Sequence, residues 1–179
     1  ARLGAVAPGA GMLVAGAGAL AFLWAATGKI RGVRVAIAGR RPDRASLARA
    51  WGAEFIELSG STWAGLEGRF EVAVDATGDP GVWSRLPEAV RPGGRVLLFG
   101  GCAPGAVASF DAARLHYAEI SLVGTFHSTP AEAVEALRLM GSGVVDPTPL
   151  ISGRGSLSDL PRFLEAQARG EGIRYSVSP

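Results

Sequence analysis

The spacing Gly16-x-Gly18-x-x-Ala21 could arrange backbone N–H groups around a diphosphate. In such a turn the first glycine allows a sharp bend after a strand, and the second lets the backbone approach the phosphates closely. The third position requires a small residue so that the following helix can pack near the strand, and alanine is accepted there. The N–H groups of Ala19 and Leu20 would then point from the start of that helix toward the diphosphate.

A second stretch, Gly39-Arg40-Arg41, lies where many dinucleotide-binding folds carry an acidic residue, about 20 residues past the glycine turn. A carboxylate there would repel the 2′-phosphate of NADP, whereas two guanidinium groups can donate charge-assisted hydrogen bonds to it. At about 1.5–3 kcal/mol for each such hydrogen bond, the pair favours NADP over NAD. Changing Gly39→Asp with Arg40→Ser should therefore shift the preference toward NAD. The alternative is that both arginines only interact with solvent in a loop.

The hydrophobic pattern around these stretches alternates between strand and helix. Apolar runs typical of buried parallel strands occur at residues 11–16, 33–39, 54–58, 70–78, 95–101 and 119–124, with a terminal strand at 172–179. Helical spacing occurs at residues 19–30, 42–52, 79–94, 129–143 and 158–170. This alternation predicts an α/β protein with the doubly wound (Rossmann) fold, a parallel sheet of about six strands with helices on both faces.

The helix at 129–143 has the clearest start signal. Thr129 can cap it, Pro130 occupies its first position and Glu132 completes a capping box. Its helical spacing predicts that the helix buries a stripe formed by Val134, Leu137 and Met140.

Three glycine-containing segments follow predicted strands and should meet at the carboxyl edge of the sheet, where ligands bind in this fold. The first is DATGDP (75–80), with Thr77 and Gly78, and the others are FGGCAP (99–104) and LVGTF (122–126). Their glycines would let the backbone pass close to a flat ring. The alternative is that they are ordinary turns at strand ends.

The uncharged run Val14–Gly28 could instead enter a membrane or form part of a signal peptide, because no charged residue lies between Arg2 and Lys29. Pro8 and several glycines interrupt that run, and a buried strand followed by a buried helix gives the same signal. The composition is typical of a globular domain, with 48% hydrophobic and 19% charged residues and a net charge of +2. The absence of a basic block argues against nucleic acid as a partner.

Few side chains in the sequence suit metal binding or nucleophilic catalysis. Cys102 is the only cysteine, so an internal disulfide and a cysteine-based zinc site are excluded, and we expect a cytoplasmic protein. His116 and His127 are the only histidines, and neither belongs to a cluster of ligand residues. The sequence therefore predicts no metal site and identifies no catalytic residue, although His127, after the sixth strand, could approach a cofactor.

Taken together, these segments resemble the cofactor-binding half of the medium-chain, zinc-type alcohol dehydrogenases, in the branch of the sorbitol and threonine dehydrogenases. The resemblance runs in the family's order through residues 8–25, 48–57, 72–80, 86–101, 118–152 and 172–179, and the long block at 118–152 is its most specific part. The chain departs from the family pattern at Ala21, where a third glycine is usual, and at Ala19, where a proline is common.

The resemblance implies roles for further residues. Ala19 and Leu20 would contact the pyrophosphate, and Thr77 and Gly78 would flank the adenosine side. The backbone at Phe99, Gly101 and Val123 would hold the nicotinamide carboxamide, and Arg174 would reach the pyrophosphate from the last strand.

The resemblance also implies what the whole protein does: it would transfer a hydride between NADP(H) and a small alcohol or carbonyl substrate. We expect residues 1–179 to form one dinucleotide-binding domain that includes the C-terminal return segment. By this resemblance we expect the GroES-like catalytic domain, which would carry the zinc that polarises the substrate oxygen, to lie outside this chain, so the chain alone should be inactive. Family members pair through the sixth strand, which implies a homodimer here. The alternatives are an S-adenosylmethionine-dependent methyltransferase and a non-enzymatic nucleotide-binding module.

Overall fold

A six-stranded parallel sheet dominates the computed structural model, which describes residues 6–59 and 62–179. Its strands are β1 (Gly11–Ala15), β2 (Arg34–Gly39), β3 (Glu54–Glu57), β4 (Phe70–Asp75), β5 (Val90–Leu98) and β6 (Ser121–Gly124). They lie in the order β3-β2-β1-β4-β5-β6, so the chain order reverses between β1 and β4. This order confirms the predicted doubly wound fold.

Four helices connect or flank these strands: α1 (Ala19–Ile30), α2 (Ala45–Ala50), α3 (Pro80–Ala89) and α4 (Ala112–Tyr117). Short 3₁₀ turns at Pro42–Arg44 and Thr62–Leu66 precede α2 and β4. Helix α1 has the bounds that the sequence predicted. Helix α4 was not predicted, because its six residues are too few to show a recognisable hydrophobic periodicity.

Both faces of the sheet are covered, as the apolar strands predicted. Leu13 and Ala15 belong to a cluster that includes Leu86 and Ala89 of α3. Met12 and Val14 alternate with them on β1 and are fully buried too, so they belong to the opposite face. Helix α1 packs closely against β2, because a Cβ at Gly28 would lie 2.5 Å from Val35 Cγ2.

The apolar run Val14–Gly28, which suggested a membrane segment, forms the end of strand β1, the glycine turn and most of α1. No helix among the described residues is both long and apolar enough to cross a membrane. Helix α1 buries Trp24, whereas Leu20 is exposed. Small residues such as Ala21 and Ala25 are also buried, and their size lets the helix approach the sheet.

The chain divides into two compact units, the second of which is Ser128–Pro179. That unit contains α5 (Pro130–Gly141), β7 (Ile151–Ser156), α6 (Leu160–Ala168) and β8 (Arg174–Ser178), and β7 and β8 pair in parallel as a separate sheet. The capping box of Thr129 and Glu132 is present as predicted. Strand β8 matches the predicted terminal strand, whereas β7 was not predicted.

The predicted buried stripe on α5 is wrong for this chain. Val134 and Leu137 are 66% and 65% exposed, and Met140 is 40% exposed. Helical periodicity identifies an apolar face but cannot say whether that face is covered within the same chain.

Candidate functional site

Strand register brings the predicted site segments to one edge of the sheet. Ala15, the last residue of β1, lies opposite Ala38 of β2 on one side and Asp75 of β4 on the other. Asp75 in turn lies opposite Leu98 of β5. The segments that follow these four strands therefore begin side by side, at the carboxyl edge where the strand order reverses.

The glycine turn after β1 lies directly against the turn after β4. Gly16 has a φ of +113°, and a Cβ there would lie 3.2 Å from both the Ala76 carbonyl oxygen and Thr77 Cγ2. Backbone hydrogen bonds fix this turn from both sides, from Gly16 N to Ala38 O and from Ala76 N to Ala15 O, each at 2.8 Å. Glycine is thus required at position 16 by conformation and by space.

The amino-terminal end of α1 is open to an anionic ligand. Gly18 is its N-cap residue, no side chain caps the helix, and its first turn carries no acidic residue. Ala21 is fully buried, as the third position of the motif requires. The N–H groups at Ala19 and Leu20 belong to the first turn, where helix N–H groups have no partner within the helix. Such an end binds phosphate groups well.

The end of β2 packs against the same turn. A Cβ at Gly39 would lie 2.7 Å from Ala17 Cβ, closer than side chains normally approach. The change Gly39→Asp would therefore displace the glycine turn as well as alter charge. Arg40 is the cleaner position at which to test cofactor preference.

The two arginines after β2 differ in their partners. Arg41 forms a two-pronged ion pair with Asp43, with Nε–Oδ1 at 3.2 Å and Nη2–Oδ2 at 2.9 Å. Their hydrogen bond raises the pKa of Arg41 and lowers the pKa of Asp43. Arg40 is exposed, and across residues 6–59 and 62–179 no carboxylate pairs with it. Among the described residues, the guanidinium of Arg40 thus has no carboxylate partner, whereas that of Arg41 is paired with Asp43.

Asp75 organises the turn that contains Thr77 and Gly78. Its Oδ1 accepts hydrogen bonds from Thr77 N (3.0 Å) and Thr77 Oγ1 (2.5 Å), and its Oδ2 accepts from Gly78 N (2.9 Å) and Trp83 Nε1 (2.8 Å). Gly78 has a φ of +72°, and a Cβ there would overlap the carbonyl oxygen of Gly101. The turns after β4 and β5 are therefore in direct contact.

The other predicted residues are distributed over two regions. Phe99 and Gly101 follow β5, and the rings of Phe99 and Trp24 are nearly perpendicular, with centroids 5.5 Å apart. Val123 lies on the neighbouring strand β6, opposite Leu97, and is partly exposed. Arg174 is an exposed residue at the start of β8, in the second unit.

The structure offers no metal centre in the part of the chain it describes. No group of three His, Cys, Asp or Glu side chains is placed to hold a metal ion there, so these residues do not fit a zinc ion. Partial burial, together with the charges of Asp75 and Asp79, raises the pKa of the Cys102 thiol, which disfavours the nucleophilic thiolate. His127 has a left-handed backbone, with a φ of 62°.

Two residues important to this edge were missed from the sequence, Asp75 and Asp43. Asp75 had a recognisable signal, because an acidic residue at the end of an apolar strand must find hydrogen-bond donors in the next turn. Asp43 had a weaker one, its spacing of two residues from Arg41, which does not by itself establish a pair.

A parallel sheet whose order reverses beside a glycine turn and an uncapped helix defines the class of doubly wound, nucleotide-binding α/β domains. Residues 16–142 match the family model described as "Zinc-binding dehydrogenase". The chain belongs to the zinc-binding dehydrogenase family.

Curated relatives extend this similarity over nearly the whole chain. It is 28% identical over 171 residues to L-galactonate-5-dehydrogenase of Escherichia coli K12, covering 92% of this chain and 50% of that protein. It is also 28% identical over 172 residues to L-threonine 3-dehydrogenase of Streptomyces coelicolor, with the same two coverages. The chain thus spans about half the length of the curated relatives it matches.

Solved structures share the fold. L-idonate 5-dehydrogenase of E. coli K-12 superposes with a TM-score of 0.82 at 26% identity, over 96% of this chain and 51% of that one. A zinc-binding dehydrogenase of Sinorhizobium meliloti bound to NADP gives 0.86 at 19% identity, over 97% and 54%. An E. coli CFT073 alcohol dehydrogenase complexed with NADH gives 0.82 at 18%, over 96% and 52%. The comparisons give no support to the methyltransferase or the non-enzymatic alternative.

Proposed function

We propose that this chain is the NADP(H)-binding part of a zinc-dependent-type alcohol or polyol dehydrogenase. The observation that carries the proposal is the juxtaposition, at one sheet edge, of the turns after β2, β1, β4 and β5 beside the uncapped start of α1. The names of the relatives, which are dehydrogenases of sugar acids and an amino acid, suggest a small hydroxylated substrate.

In this proposal the chain binds and orients the dinucleotide. Gly16 and Gly18 let the backbone approach the diphosphate, and the N–H groups of Ala19 and Leu20 donate to it. Thr77 and Gly78 flank its adenosine side, as the family resemblance implies. The bound nicotinamide supplies or accepts the hydride.

On the nicotinamide side, the backbone at Phe99, Gly101 and Val123 holds the carboxamide, and Arg174 supplies a further charge for the pyrophosphate. These assignments derive from the family resemblance. Any zinc would be held by residues outside those described.

The preference for NADP over NAD rests on Arg40. Its guanidinium follows Gly39 at the end of β2, is exposed and has no carboxylate partner among the described residues. A 2′-phosphate would provide an acceptor for its N–H groups. Relatives in this fold are known with either cofactor, one with NADP and one with NADH, so the family alone does not decide the preference.

Equilibrium titration of the purified chain with NADPH, NADH and S-adenosylmethionine tests the proposal. NADPH should bind most tightly, with quenching of tryptophan fluorescence, and S-adenosylmethionine should not bind. Arg40→Ala should weaken NADPH binding by about tenfold, the effect of one lost charge-assisted hydrogen bond, and leave NADH binding nearly unchanged. Tight binding of S-adenosylmethionine, or no binding of either dinucleotide, would refute the proposal.

We also propose that the whole protein forms a homodimer and lies in the cytoplasm. Strand β6 is an edge of the six-stranded sheet and bears the partly exposed Val123, so a second copy could pair with it. Light scattering that gives a monomeric mass for the whole protein would remove the dimer from the proposal.

The cytoplasmic location rests on the single cysteine, and finding the protein in a secreted fraction would contradict it.

A further inference from the structure

Asp75 is the one buried polar or charged side chain among the described residues, at 0% exposure. No arginine or lysine pairs with it in the part of the chain that the structure describes. Its charge is instead compensated by the four hydrogen bonds from Thr77, Gly78 and Trp83. Burying an unpaired carboxylate is costly unless donors satisfy it in this way, and all of these donors belong to the turn after β4 and the helix that follows.

The surroundings of Asp75 connect it to two neighbouring turns. On one side, the Gly16 turn packs against Ala76 and Thr77. On the other, Gly100 N donates to the Asp75 carbonyl oxygen at 3.0 Å. A Cβ at Gly100 would lie 2.5 Å from Asp75 Oδ2, so the loop after β5 passes directly over the carboxylate.

We propose that Asp75 is a positioning residue for the dinucleotide: its carboxylate fixes the Thr77–Gly78 turn between the glycine turn after β1 and the loop after β5. The inference rests on the proposed function, since it assumes that these turns surround a dinucleotide. Asp75 itself, being fully buried, does not touch the cofactor. Its effect is to pre-form the binding surface, which reduces the ordering that binding would otherwise require.

The arrangement requires a carboxylate rather than an amide. Each oxygen of Asp75 accepts two hydrogen bonds, whereas asparagine has one acceptor oxygen and an NH₂ group that donates. In Asp75→Asn, whichever way the amide lies, its NH₂ would face two donors. The Thr77–Gly78 turn would therefore move away from its present position.

The opposite end of β4 supplies a matched control. Glu71 also accepts a backbone hydrogen bond, from Gly11 N, and pairs with Arg91 at 3.1 Å. Glu71→Gln thus makes the same chemical change on the same strand, but at the amino edge of the sheet. All four tryptophans lie in the first unit, so tryptophan fluorescence during urea unfolding measures how much each variant destabilises that unit.

The decisive measurement is the affinity for NADPH divided by the affinity for 2′,5′-ADP. A fall in the population of folded protein weakens both ligands by the same factor and leaves the ratio unchanged. A shift of the Thr77–Gly78 turn removes contacts with the adenosine side, which both ligands share. Because Gly78 lies against Gly101, the same shift moves the loop after β5, and only NADPH has the nicotinamide half that this loop contacts. NADPH should therefore lose more affinity than 2′,5′-ADP. We expect Asp75→Asn to lower the ratio by about tenfold and Glu71→Gln to leave it unchanged.

Trp83→Phe provides a milder variant should Asp75→Asn fail to fold. It removes only the indole donor to Asp75 Oδ2 and should lower the same ratio by a smaller factor. If both ligands lose affinity equally in Asp75→Asn and Trp83→Phe, the positioning role is wrong and Asp75 serves stability alone. If the unchanged protein binds neither ligand, the proposed function fails instead.

Discussion

Single residues decide the electrostatics beside the predicted 2′-phosphate position. The sequence indicated two equivalent guanidinium groups, but in the structure Asp43 engages Arg41 and also lies 3.6 Å from Arg44. A ligand phosphate would meet Arg40 directly, and Asp43 would both compete for Arg41 and repel the phosphate. Exposed ion pairs of this kind are weak, so Arg41 can exchange its partner at little cost.

Replacing Asp43 should therefore strengthen NADPH binding. We expect Asp43→Asn to raise the affinity for NADPH by about threefold to tenfold, since it removes a nearby negative charge and a competing acceptor. Affinity for NADH should stay the same, because NADH has no 2′-phosphate. Both dissociation constants can be measured by fluorescence titration at low salt, where exposed charges interact most strongly.

Glu135→Gln is the control for that change. It breaks a similar arginine–carboxylate pair, with Arg138 on α5 in the second unit, where both hydrogen bonds measure 2.7 Å. It should leave both affinities unchanged. An equal rise for NADH and NADPH in Asp43→Asn would contradict the role given to Asp43.

Among the elements, strand β4 carries an acidic residue near each end, with different consequences. At the carboxyl edge, Asp75 accepts the hydrogen bonds that hold the Thr77–Gly78 turn. At the amino edge, Glu71 accepts a hydrogen bond from Gly11 N at the start of β1. That hydrogen bond, with the charge of Arg91 in support, lowers the pKa of Glu71 below its usual 4.5. Ionised Glu71 is therefore favoured in the folded state.

This lowered pKa predicts how stability depends on pH. A carboxyl group with a lower pKa in the folded than in the unfolded state stabilises the protein above the unfolded value, near 4.5, and loses that contribution as the pH falls through the folded value. Glu71→Gln should thus cost about 1 kcal/mol near neutral pH, and the difference from the unchanged protein should shrink below pH 4.5.

Urea unfolding followed by tryptophan fluorescence at several pH values tests this. Glu54→Gln serves as the comparison, because among the described residues Glu54 forms only an exposed pair with Arg69, at 3.8 Å. This change should cost little at any pH. A constant difference for Glu71→Gln from pH 7 to pH 3 would show that the ionised side chain contributes nothing.

Elements were predictable to different degrees. Helix α1 and the six strands of the main sheet could be predicted from the hydrophobic periodicity and from the glycines at the ends of elements, because their apolar residues are buried in one core. The short helix α4 and strand β7 lack that signal, since β7 alternates glycine with polar residues. For α5 the start was predictable from its capping box, but the covering of its apolar face was not.

At the candidate site, the glycine turn and the strand-end segments were predictable because backbone conformation dictates their residue types. The partners of Arg41 and Asp75 were not, because they depend on side-chain positions in the folded chain.

At the scale of the whole molecule, two facts limit the function that can be proposed for this chain: its division into two units and its length relative to its relatives. The first unit contains the glycine turn, Arg40 and the Asp75 network, and so all the proposed cofactor contacts except Arg174. The relatives are about twice as long as the matched region, and their dehydrogenase names apply to those whole proteins. For this chain we therefore propose dinucleotide binding at one edge of its sheet.

A crystal structure of the chain in complex with NADPH tests that claim most directly. We predict that the diphosphate lies against the N–H groups of Ala19 and Leu20, with the 2′-phosphate in contact with the guanidinium of Arg40. Electron density for NADPH at any other place, or none at the carboxyl edge under saturating NADPH, would contradict the account.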